Sequence, residues 1–330
     1  MSRNAVFETV LTFYAVALII MAIAYLCPVG LIEGWPPASV MDPVTYIPVL
    51  FSLFLLVPVY AWQRSYQQRT KLSSEINARS KSNVFFRILA LYALAMSIRI
   101  PSVLLFNEPY EKTPLIILLA MTMLLIEGTR LSAFGFKAQK LGKSLLYGLA
   151  FFAILAGVNQ LVYGLLVHLF TGQTVFQSYD LIPALLAMPF MTLCVGISEE
   201  GLFRGYMQTH LQKITNLKKA MLVQAILFGA WHFVWNLSPF DPAAMTEYVA
   251  TTFLAGLLFG YFYSKTENLV PLIFAHGLWN SAQMGLTISG SATNAIQAAP
   301  PLIQILTWIL PYVTSLTLTV LFIKYYVKRT

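Results

Sequence analysis

Apolar runs of about 17 to 25 residues recur from one end of this 330-residue chain to the other, each long enough to cross a bilayer as a helix. A soluble chain of this length would split into about two domains and alternate polar with apolar faces. Here 58% of residues are hydrophobic and only 10% charged, against a soluble norm of roughly 25%. The runs fall at residues 7–29, 46–62, 84–106, 113–127, 145–171, 181–205, 218–236, 247–263, 269–288 and 301–323. The expected fold is an all-α polytopic transmembrane bundle of about ten spans. The first run is longer than the apolar core of a signal peptide, about 7 to 15 residues, and lacks a small-x-small site, so it reads as a retained span.

The net charge of +8 could suggest nucleic acid, but the cations fall in short loops between apolar runs. With the N-terminus cytoplasmic, the cytoplasmic segments carry eighteen Lys and Arg residues and the opposite loops only Lys112, while Arg99 and Arg204 lie inside spans. This asymmetry follows the positive-inside rule, places both termini in the cytoplasm and leaves no nucleic-acid surface. Cys27 and Cys194 both lie in apolar runs without metal-ligand spacing, so neither a disulfide framework nor a zinc site is indicated, and no cofactor is expected. The basic loop 128–144 reads as a joint between residues 1–130, about four spans, and residues 131–330, about six. Arg99 is the chief intramembrane polar residue of the first region.

Ionised groups at bilayer depth cost at least about 2.5 to 3.5 kcal/mol each, so they mark functional sites and have partners. Three segments carry them. In the first, Glu200 and Arg204 are i,i+4 and stack on one face, whereas Glu199 is turned about 100° away. Glu199 is then expected to lack a matched cation and to be suited to taking and returning a proton; the bland reading is a structural ion pair with a spare acid. In the second, Phe228 and His232 share a face. That histidine is either a packing residue or a catalyst. In the third, His276 and Asn280 share a face and suit either stabilisation of an oxyanion or a helix–helix hydrogen bond. His168 is expected near the non-cytoplasmic end of its span and His210 in a cytoplasmic loop, both interfacial.

Together, Glu199-Glu200-x-x-x-Arg204, Phe228-x-x-x-His232 and His276-x-x-x-Asn280 resemble the three-motif signature of the CAAX protease and bacteriocin-processing (CPBP, or Abi) family of intramembrane glutamic endopeptidases. Phe203-Arg204-Gly205-Tyr206 and the glycine-rich Gly256 to Gly260 segment fit the same pattern, and the similarity runs from about Leu145 to Gly290. The resemblance implies that Glu199 activates a water, that His232 holds it, and that His276 and Asn280 form the oxyanion hole. Glu200 and Arg204 would fix the first helix, and Phe228 would pack the substrate or the imidazole.

The implied reaction is metal-free hydrolysis of a peptide bond in a membrane-associated or lipidated substrate, with no covalent acyl-enzyme. The implied setting is the bilayer, expected to be a bacterial cytoplasmic (inner) membrane. HExxH, Gly-x-Ser-Gly and Gly-x-Gly-Asp motifs are all absent. Cys194 sits about 140° around the helix from Glu199 and is a poor nucleophile candidate. Other readings of the cluster are a proton-coupled transporter or a non-catalytic immunity or binding protein, and a metal-dependent membrane protease with Glu199, His232 and His276 as ligands.

Overall fold

The computed structural model describes residues 81–106, 111–126 and 129–329. The two runs expected at 7–29 and 46–62, the N-terminus and Cys27 lie outside the described residues. The chain is chiefly helical. The helices are α1 (Lys81–Phe106), α2 (Lys112–Met121, continued by a π turn at Thr122–Ile126), α3 (Leu141–Thr171), α4 (Leu181–Ile214), α5 (Leu217–Ala230), α6 (Pro242–Thr266), α7 (Val270–Met284), α8 (Gly290–Gln297) and α9 (Pro301–Tyr325). Within the described residues, α1, α3, α4, α6 and α9 are long and apolar enough to cross a membrane. Helices α5 and α7, of 14 and 15 residues, reach only about 21 to 23 Å at 1.5 Å per residue. Both carry site residues.

Local chemistry sets the helix starts. Asp180 Oδ1 accepts from the Ile182 amide (2.9 Å), Asn216 Oδ1 from Lys219 (2.9 Å), and Asp241 Oδ1 from Ala243 and Ala244 (both 3.0 Å). Each satisfies amides that the first helical turn leaves without a partner. The run expected at 218–236 breaks earlier than its hydropathy suggests. Helix α5 ends at Ala230, and a 3-10 turn follows at Phe233–Asn236.

Helices α4 and α7 run antiparallel. A short ladder of β1 (Phe176–Tyr179) with β2 (Leu286–Ile288) joins the start of α4 to the end of α7, and the Asp180 amide donates to the Gly285 carbonyl (2.8 Å). Glycines let the two axes close together. A Cβ on Gly196 would fall 2.7 Å from the Ile273 carbonyl, and one on Gly277 would overlap Thr192.

The basic loop expected to act as a joint is packed into the body. Gly135 adopts a left-handed φ of 87° and its carbonyl accepts from the Leu269 amide (2.8 Å). Phe134 is buried against Tyr206 and His210 (ring centroids 6.0 and 5.6 Å). One buried cluster unites Ile88, Leu91 and Leu118 with Phe203, Phe228 and Trp231, on both sides of the boundary expected at residue 130. His210 is not in an interfacial loop. It lies in the last helical turns of α4, buried, with Nδ1 2.9 Å from the Tyr206 carbonyl, because its ring completes this aromatic stack. His168 is exposed in the last turn of α3.

Candidate active site

The paired glutamates occupy a four-residue α segment, Ile197–Glu200, between two π segments of α4, Phe190–Gly196 and Gly201–Gln208. The first π segment follows Pro189, whose missing N–H loosens the ladder. Such wide turns inside helices frequently accompany functional sites. The i,i+4 stacking survives: Arg204 Nη1 donates to Glu200 Oε1 (3.1 Å). Arg204 also lies over the Phe228 ring (4.2 Å) and the Phe259 ring (5.0 Å), and its Nη2 donates to the Gly256 carbonyl (3.4 Å). The glycine-rich segment thus supplies bare carbonyls as acceptors, with Gln224 Nε2 donating to Gly256 (2.8 Å) and Gln208 Nε2 to Gly260 (2.9 Å).

His276 reaches the pair from α7. Side chains lean toward the N-terminus of their own helix, so on antiparallel helices Glu199, Glu200 and His276 lean toward one another. His276 Nδ1 is 2.8 Å from Glu200 Oε1. That carboxylate already accepts from Arg204 and, ionised, can only accept, so Nδ1 carries the hydrogen. On the other side of the ring, Nε2 faces Glu199 Oε2 at 3.7 Å. Glu200 is therefore more than a brace for its own helix, because it also orients His276.

Phe228 brings in the second histidine. Its ring is edge-on to His232 (4.8 Å) and to His276 (6.5 Å). His232 follows the end of α5 and sits 2.8 Å from the Phe228 carbonyl through Nδ1, which must donate, leaving Nε2 as an acceptor in the neutral ring. Tyr248 closes against its other side (5.3 Å). Asn280, one turn after His276, is half-buried, and its carboxamide makes no hydrogen bond to another described residue. The structure thus gathers Glu199, Glu200, Arg204, Phe228, His232 and His276 into one contact network, with Asn280 near its edge.

The expectation that Glu199 lacks a cation is overturned. Lys112, counted from the sequence as the lone cation of the opposite loops, is buried at the start of α2 with its ammonium on Glu199 Oε1. Trp231 Nε1 donates to the same oxygen (3.0 Å). Lys112 Nζ also pairs with Glu111 (2.9 Å), Glu111 with Arg99, and Arg99 Nε donates to the Trp231 carbonyl (2.9 Å). Gly201, directly after the glutamates, faces Phe136 and Leu119, the latter on helix α2. Cys194 packs with Ile116, Phe190 and Met191 beneath it. Arg99, Glu111, Lys112, Glu199, Glu200 and Arg204 are each at most 2% exposed, three cations facing three anions.

These five contacts were missed in the sequence. Arg99 stood out only as an intramembrane charge and Lys112 was counted among the loops, while nothing in the spacing singled out Glu111 or Trp231. Within the described residues, no three His, Cys, Asp or Glu side chains are grouped to hold a metal ion. No curated protein and no solved structure shows significant similarity to the chain. The stretch that supplies the glutamate pair, Arg204, Phe228, both histidines and Asn280 does match a family model: residues 180–282 are similar to the type II CAAX prenyl endopeptidase, Rce1-like, family.

Proposed function

We propose that the protein is an intramembrane peptidase that hydrolyses a peptide bond of a membrane-associated or lipidated substrate, using Glu199 as general base. The observation that carries this reading is the pairing of a buried carboxylate oxygen, Glu199 Oε2, with an imidazole nitrogen that a second carboxylate holds in place. Glu199 Oε2 makes no hydrogen bond to a described residue, while Oε1 is fully engaged. It is the oxygen available to a reacting water.

In this reading a water donates one hydrogen to Glu199 Oε2 and the other to His232 Nε2, which directs its lone pair at the scissile carbonyl. Glu199 takes the proton as the C–O bond forms. His276 in its protonated form donates from Nε2 to the developing oxyanion, with Glu200 as its counterion, and the Asn280 carboxamide donates beside it. The proton on Glu199 then passes to the amide nitrogen as the C–N bond breaks, giving a free acid and a free amine. No acyl-enzyme and no metal takes part. Similarity to prenyl endopeptidases points to a prenylated or otherwise lipid-anchored peptide as the substrate class.

The test is hydrolysis of a fluorogenic lipopeptide by the purified protein in detergent, in the presence of chelator. Glu199→Gln, nearly isosteric, is expected to lower kcat by about 10² to 10⁴-fold, the general-base contribution, with unchanged folding by circular dichroism. Full hydrolysis by this variant defeats the glutamate mechanism, and loss of wild-type hydrolysis in chelator defeats the metal-free one.

A further inference from the structure

We infer that Lys112, delivered by helices upstream of the family-matched stretch, is a positioning residue that fixes which oxygen of Glu199 faces the substrate. This rests on the peptidase reading above. The terminal torsion of a glutamate is broad and nearly two-fold, so an unanchored carboxylate exchanges its oxygens freely. Here both strong donors act on one oxygen: the Lys112 ammonium and the Trp231 indole N–H both meet Oε1. Oε2 is left to face His276 Nε2.

Lys112 is itself immobilised. Its ammonium lies 2.9 Å from Glu111 and 5.0 Å above the centre of the Trp231 ring. Glu111 is gripped by Arg99, and the Arg99 guanidinium stacks on the same indole (4.4 Å) while bonding its backbone carbonyl. The contacts therefore close into a ring, from Glu199 through Lys112, Glu111, Arg99 and Trp231 back to Glu199. Two cations balance two anions around it, so the assembly is neutral and can persist in a low-dielectric bundle. A simple neutralising role would need only one cation near Glu199. The closed ring, with two donors converging on the same oxygen, instead fixes an orientation. It also makes the site composite, because Arg99, Glu111 and Lys112 lie outside the matched stretch 180–282 and yet Lys112 touches the proposed general base.

The experiment compares kcat and KM for lipopeptide cleavage by the full chain and its Lys112→Met, Lys112→Arg and Glu199→Gln variants. Misplacing a reacting group by about 1 Å can cost on the order of 10²-fold in rate. Lys112→Met is therefore expected to lower kcat by about that factor with KM within about twofold, and Lys112→Arg to recover most of it, since guanidinium can also meet Oε1. Lys112→Gln, which keeps a polar donor, is read instead if the methionine variant does not fold.

Wild-type kcat in the neutral variant that is read, with Glu199→Gln inactive, overturns the role of Lys112 and leaves the peptidase reading standing. A fall that only tracks the folded fraction, or one that Lys112→Arg does not relieve, overturns it as well. Full hydrolysis by Glu199→Gln overturns the peptidase reading, and the role of Lys112 falls with it.

Discussion

Residues 180–282 and residues 81–126 contribute to the same buried charge cluster in different ways. In the first stretch the site residues come in pairs four residues apart: Glu200 with Arg204 in α4, His276 with Asn280 in α7, and Phe228 in α5 with His232 just past its end. In the second, no intrahelical spacing links Arg99, Glu111 and Lys112 to the site. Arg99 lies in α1, Glu111 and Lys112 open α2, and their targets Trp231 and Glu199 are on or next to α5 and α4. One region advertises its chemistry by periodicity. The other acquires it only on packing, yet both bury ions that only a partner makes tolerable.

If the two regions are equally part of the site, breaking an ion pair in either should cost about the same. Arg204→Met removes the cation paired with Glu200 and Arg99→Met one of the two cations paired with Glu111, and each is expected to destabilise by about 3 to 5 kcal/mol, as for removal of one partner of a buried pair. Thermal unfolding in detergent measures both; a silent Arg99→Met would show that the upstream helices are mere neighbours. Next in size, Asn280→Ala should lower kcat by about 10² to 10³-fold, the loss associated with one oxyanion donor. Its fold should be unaffected, since that carboxamide carries no other hydrogen bond within the described residues. Smallest is Gly277→Ala. The added methyl meets Thr192, and overpacking of this kind costs about 1 to 3 kcal/mol. It should also slow cleavage by moving His276 away from the glutamates, whereas Gly142→Ala, with open space around it, should change neither activity nor unfolding temperature.

The sequence made the membrane bundle and the three motifs legible because each rests on short-range regularities. A long apolar run specifies a spanning helix wherever it lies, and i,i+4 spacing brings two side chains to one face without help from the rest of the fold. The same reasoning failed at Glu199, which looked unmatched because its cation lies 87 residues away. It failed at His210, where a hydrophilic-looking segment continues α4 and the ring is buried between aromatics. It failed again at residues 231–236, where the apolar run continues after the helix has ended.

By itself, then, the amino-acid sequence determined a helical membrane body with a glutamate pair, two histidines and an asparagine set at helical spacings. Only the tertiary structure decided which groups face which: that Glu200 meets His276, that Phe228 is edge-on to both imidazoles, and that Lys112 and Trp231 take one oxygen of Glu199 and leave the other facing His276. The physical reason is that Coulomb attraction and hydrogen bonding act through space at a few ångströms, whereas sequence spacing reports distance only along one helix.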